Sequence, residues 1–152
     1  MNDGLKANLK RLERLIQIRQ TYVSVAETAV KQAEKELRRL EVAEHELAGH
    51  IRHTQEGIAY LKSATGQDVQ TDDAYIKELE KQRGLLQLSI EKATGNLEQR
   101  RQEWTEAMRE EKIASKLQER RLHQLERADD VAQQKAQDDA FIGRYVRTRL
   151  EK

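Results

Sequence analysis

The stretch LKANLKRLERLIQIRQTYVSVAETAV, residues 5–30, decides the fold. Its Leu5, Leu9, Leu12, Ile16, Val23, Ala26 and Val30 recur in steps of three and four, the heptad spacing of helices that pack along a seam. The steps run on through Ala33, Leu37, Leu40, Leu47, Ile51, Ile58 and Leu61, and only Arg19, Glu44 and Thr54 break the apolar rule. No proline occurs in the 152 residues, so nothing removes an i→i−4 hydrogen bond from a long helix. The pattern predicts a first helix from about Gly4 to about Ala64.

The one convincing break is Ser63-Ala-Thr-Gly-Gln-Asp-Val-Gln-Thr-Asp-Asp73. Gly66 suits a left-handed helix end, and Thr71 suits the next N-cap, with Asp72 and Asp73 near its positive pole. A loop over about 65–71 and a second helix over about 72–148 follow. That helix reads Ile76, Leu79, Arg83, Leu86, Ile90, Ala93, Leu97, Arg100, Trp104 and Ala107. Beyond Ala107 the apolar residues Ile113, Leu117, Leu122, Leu125, Ala128 and Ala132 leave that frame, which predicts a slip in the heptad phase.

Two long helices joined by a short loop form an antiparallel hairpin. The fold class expected is all-α, a single elongated coiled-coil hairpin over residues 1–152. If Leu61 faces Ile76, facing residue numbers total about 137, which sets Leu37 near Arg100 and Leu5 near Ala132. Residues after about 133 then overhang the N-terminus by about 30 Å at the helical rise of ~1.5 Å.

Composition narrows the function. Ala, Glu, Leu, Lys and Arg supply 80 of 152 residues, as in long helices and coiled coils. Leu, Ile, Val and Phe total 33, so the core is thin. With no cysteine there is neither a disulfide framework nor thiolate chemistry. No apolar run approaches the ~20 residues of a membrane span, and the opening MNDGLKANLK lacks an apolar signal core, so a cytoplasmic protein is expected. The net charge of +1 is mostly interspersed, unlike the basic stripe of a nucleic-acid binder. It is still uneven: residues 1–40 carry nine basic and five acidic side chains, 141–152 four and one, and 63–80 one and five.

Catalysis finds no footing. There is no GxxxxGK[ST] or GxGxxG loop, and the pairs Asp129/Asp130 and Asp138/Asp139 diverge around a helix rather than enclose a site. Glu46, His50 and His53 share a helix face, but His45-Glu46 followed by His50 is not the i, i+4 zinc spacing; solvated histidines and no metal or cofactor are expected.

Two surfaces point to protein partners. Leu15, Ile18, Tyr22, Val25 and Ala29 form a second three-and-four stripe on another side of the first helix from Ile16, Val23, Ala26 and Val30. A two-stranded hairpin has one seam, so this stripe meets either a partner or the slipped part of the second helix, through Ile113 or Leu122. In the overhang, Phe141, Ile142, Tyr145, Val146 and Leu150 cluster with Arg144, Arg147 and Arg149, residue types enriched at interface hot spots; a frayed tail is the alternative.

Three segments carry a family resemblance. Arg11-Leu-Glu-Arg-Leu-Ile-Gln-Ile-Arg19 resembles the opening of the FliJ family of flagellar export proteins. Glu111-Lys112 through Lys116-Leu-Gln-Glu-Arg-Arg121 resembles a later run, and Gln134-Lys-Ala-Gln-Asp-Asp-Ala140 its C-terminal element, with Asp138-Asp139 where an Asp-Glu pair is common. The resemblance covers nearly the whole chain; the injectisome stalk proteins of the YscO group share the architecture. It implies a non-enzymatic stalk whose terminal helices enter a hexameric export ATPase ring, promote its assembly, link it to a membrane export-gate protein and handle export chaperones. It also implies a place at the cytoplasmic side of the membrane export apparatus, without insertion. Leu15, Ile18, Tyr22, Val25 and Ala29 are then the docking candidates, and Phe141, Arg144, Tyr145 and Arg147 the ring-contact candidates. A coiled-coil scaffold or chaperone-like adaptor that self-associates through the second stripe is the alternative.

Overall fold

The computed structural model describes residues 2–60 and 66–151. Two α-helices hold nearly all of them: α1, Asn2–Tyr60, and α2, Gly66–Leu150. The expected seam residue Leu61 and the helix end near Ala64 lie outside the described residues. α2 begins earlier than the expected Asp72. Gly66 is its first residue rather than a cap on α1, and Thr71 stands inside the helix, so residues 66–71 of the predicted loop are helical. Asp73 instead pairs with Lys77 one turn on, at 3.4 Å.

The helices form two compact units, one of Ser24–Thr105 and one of Met1–Val23 with Glu106–Lys152. In the first, Ile51 is buried with Ile76 and Leu79, and Leu47 and Ile58 pack against them. Val30, Ala33 and Leu97 form a second cluster, covered by Leu37 and Trp104. The ladder descends α2 as it climbs α1, so the helices are antiparallel. Flanking contacts agree: Glu34 meets Arg101 at 3.5 Å between e positions, and the His50 ring meets the Tyr75 hydroxyl at 3.0 Å between g positions. Pairing of e with e and g with g is what antiparallel helices require, since reversing one helix swaps its flanks.

Facing residue numbers total about 130 here, not 137. The expected register is one heptad out, because α2 begins at Gly66, six residues before the start the loop reading gave it. A seven-residue repeat fits equally well at either register, and only the position of the reversal chooses between them.

In the unit of the chain ends, Leu12, Ile16 and Ala114 are buried. With Ala114, the partly covered Ala107, Glu111, Gln118, Arg121, Leu125 and Ala128 of α2 follow in three-and-four steps, and Glu110 and Ser115 beside them are partly covered too. The expected phase slip does not occur. The seam keeps its frame by accepting polar residues, while Ile113, Leu117 and Leu122 face solvent. Arg19 pairs with Glu110 in this unit, which sets a total of 129 and puts Asn2 across from residue 127. From Asp129 to Glu151 every residue except Gly143 is exposed. The overhang therefore starts some six residues earlier than expected and is on the order of 35 Å long.

Two of the three polar breaks in the α1 seam are answered across the helices: Arg19 by Glu110, and Glu44 by Arg83. The Arg83 Nε donates to Glu44 Oε1 at 2.8 Å. That hydrogen bond holds the Glu44 carboxyl below the usual glutamate range; desolvation opposes it, and the Arg83 charge adds to the lowering. A depressed carboxylate pKa adds stability that is full above the ordinary value, about 4.3, and is lost as pH falls through the folded value. In urea titrations Glu44→Gln is expected to lower the midpoint at neutral pH, and the difference from the parent should shrink in that acid range. A pH-independent difference would exclude the Glu44 charge as its source.

Gly49, Gly57, Gly84 and Gly95 lie inside the helices, and a Cβ on any of them would meet nothing within 4 Å. None has positive φ. Each single Gly→Ala change is expected to raise stability by up to about 1 kcal/mol, measured as a higher melting temperature.

Candidate partner-binding surfaces

The side chains of the second stripe project from α1 because their g and c heptad positions lie about 100° around the helix from the seam at 100° per residue. Ile18 is 50% exposed and Tyr22 56%, and Leu15 is also open, all in the unit of the chain ends. Neither Ile113 nor Leu122 covers the stripe, since both are themselves exposed; internal packing is not its explanation. Val25 and Ala29 belong to the other unit, where they line a shallow apolar groove with Ser24, Thr28 and Gln32.

The α2 overhang carries the other candidates. Phe141 is 71% exposed, and Ile142, Tyr145, Val146 and Leu150 are open as well. At 100° per residue these five fall within one half of the helix, and Arg144 and Arg147 fall on the other half. Arg149 lies on the apolar side, its guanidinium 5.9 Å from the Tyr145 ring centroid. Arg147 and Arg149 also complement the negative end of the helix dipole in the last turn. The tip is therefore an amphipathic cationic–aromatic helix end, and among the described residues no second helix lies beside it.

Sequence reasoning missed a third feature. Ile113 and Leu117, read as seam residues out of frame, are surface residues at c and g positions of α2. The signal was present: Ala107, Ala114, Leu125 and Ala128 continue the earlier frame if Glu111, Gln118 and Arg121 are allowed in it. His50 spends one ring nitrogen on Tyr75. No described helix is long and apolar enough to cross a membrane.

A family model described as "Flagellar FliJ protein" matches residues 8–150. No curated protein and no solved structure matches the chain.

Proposed function

The chain belongs to the FliJ family of flagellar proteins, and from that premise we propose that it is a non-enzymatic component of the flagellar export apparatus, the central stalk of its hexameric ATPase. Its work is mechanical. A stalk that binds the assembled ring more tightly than separate subunits shifts the population toward the ring, by linkage. Phe141, Arg144, Tyr145 and Arg147 engage the ring, with the arginines raising the association rate toward acidic loops. Leu15, Ile18, Tyr22, Val25 and Ala29 dock the export-gate protein or export chaperones. The protein works in the cytoplasm, at the membrane apparatus but not within the bilayer.

The observation that carries this reading is a family match over nearly the whole chain, in a molecule whose longer helix extends uncovered past its partner. The flagellar description of that family favours a flagellar over an injectisome system. The test is the oligomer state and ATP turnover of the cognate ATPase with and without this protein. The full chain is expected to promote hexamers and raise turnover. Removing residues 141–152 should return both to near baseline while helicity falls only in proportion to the residues lost. An ATPase indifferent to the full chain would refute the stalk role.

A further inference from the structure

In the unit of the chain ends five exposed apolar residues, drawn from both helices, lie on one side, while Met108 and Leu122, at e positions, lie on the other. Arg19–Glu110 sets the register, so Ile113 stands across from residue 16 and Leu117 across from residue 12. Leu15 and Tyr22 are g residues and Ile18 is a c residue on α1; Leu117 is a g residue and Ile113 a c residue on α2. In an antiparallel pair the g flanks of both helices look the same way. Leu15, Ile18 and Tyr22 thus form a single two-helix face with Ile113 and Leu117, all exposed.

The charges at the two ends of this face differ in sign. Toward the free end of α1 the c positions hold Arg11 and Arg120; seven residues below Ile113 the same flank of α2 holds Glu106, and seven below Leu117 it holds Glu110, which is paired with Arg19. Arg120, with Arg127, also lines an open basic hollow. Two copies placed face to face have two simple arrangements. With the copies parallel, Arg11 of each meets Arg120 of the other, and like charges oppose. With the copies antiparallel about a two-fold axis through Ile113, Arg120 meets Glu106 of the second copy, Arg11 meets the Tyr22 ring, and Leu15 meets Ile18. The face is complementary to itself in one orientation only.

We infer that the free protein forms an antiparallel homodimer through this face, centred on Ile113. The four helices of the two copies bury Leu15, Ile18, Tyr22, Ile113 and Leu117 together, and the end charges fix the direction. A second copy in this position withholds Leu15, Ile18 and Tyr22 from any other partner. The inference rests on this face alone and stands apart from the export reading.

Sedimentation equilibrium of the full chain, from micromolar to several hundred micromolar, tests it. A concentration-dependent dimer is expected. Ile18→Ser combined with Ile113→Ser should weaken it at least about a hundredfold with unchanged helicity, because two-fold symmetry presents each contact twice. Arg120→Glu should weaken it about tenfold, and adding Glu106→Arg should restore it. The chain has no cysteine, so single cysteines report direction. Ile113→Cys should oxidise to a disulfide-linked dimer. Gln124→Cys should not, being about 33 Å from its copy in the antiparallel pair. A monomer at every concentration overturns the inference. So does a dimer indifferent to the serine substitutions, or one linked by Gln124→Cys and not by Ile113→Cys.

Discussion

Ile51→Ala is expected to destabilise the protein by about 2–3 kcal/mol, enough to lower the urea midpoint severely, whereas Ile113→Ala, measured at concentrations low enough that the chain is monomeric, should change it by less than about 0.5 kcal/mol. Both are isoleucines in long helices, and sequence periodicity alone weighs them alike. The structure separates them. Ile51 is 5% exposed between Ile76 and Leu79, with Leu47 and Ile58 closing the sides. Truncation there removes three carbons from a groove whose walls are held by the backbone of two helices and cannot collapse inward. The cost stays below the largest seen in globular cores because no described side chain is completely buried. Ile113 is 61% exposed and loses little on truncation. Equal losses at the two sites would mean that the seam runs through Ile113 after all.

Gln118→Leu together with Arg121→Leu should stabilise the unit of the chain ends by about 2 kcal/mol. The register puts residue 118 across from about residue 11 or 12 and residue 121 across from about residue 8 or 9, so the new leucines meet Leu12 and Leu9. Arg121 now carries a buried Nε with no hydrogen-bond partner, a cost that the substitution removes. Its Nη1 donates to Gln124 Oε1, at 3.2 Å, on its own helix. Thermal melts decide the matter. A rise of several degrees confirms an unbroken heptad frame through residue 121, and no change would place both side chains in water.

Much of this was legible in the sequence. Every described seam residue expected in α1, from Leu5 to Ile58, is at least partly covered, because its apolar residues outnumber its polar ones at those positions. In α2 the rule misled. Past Ala107 three polar residues occupy the seam, and Ile113, Leu117 and Leu122 drew the eye to a different phase. Side-chain polarity reports the average fate of a residue type, whereas helical geometry fixes which positions face the partner. Register was beyond reach for another reason: a heptad repeat is degenerate by seven residues, and a loop misplaced by a few residues selects the wrong copy. The exposed stripe on α1 was readable because a two-helix hairpin has only one seam. Its continuation across α2 was not, since that depends on register.

The cross-helix contacts also order the assembly of the hairpin in time. His50 and Tyr75 are 25 residues apart in the chain, Glu44 and Arg83 are 39, and Arg19 and Glu110 are 91. Loop-closure entropy rises only with the logarithm of this separation, so bringing Arg19 to Glu110 from an open chain costs about 1 kcal/mol more than bringing His50 to Tyr75. Once the inner pairs have formed, each further pair closes a gap of only a turn or so, and the chain zips outward from its reversal. Opening retraces that path. Amide protons near Ile51 and Ile76 should outlast those of residues 5–12 and 118–128, where polar residues interrupt the zipper. The segments first released are then those flanking the free tip of α2, so the ends offered to a partner are also the ends that separate at least cost.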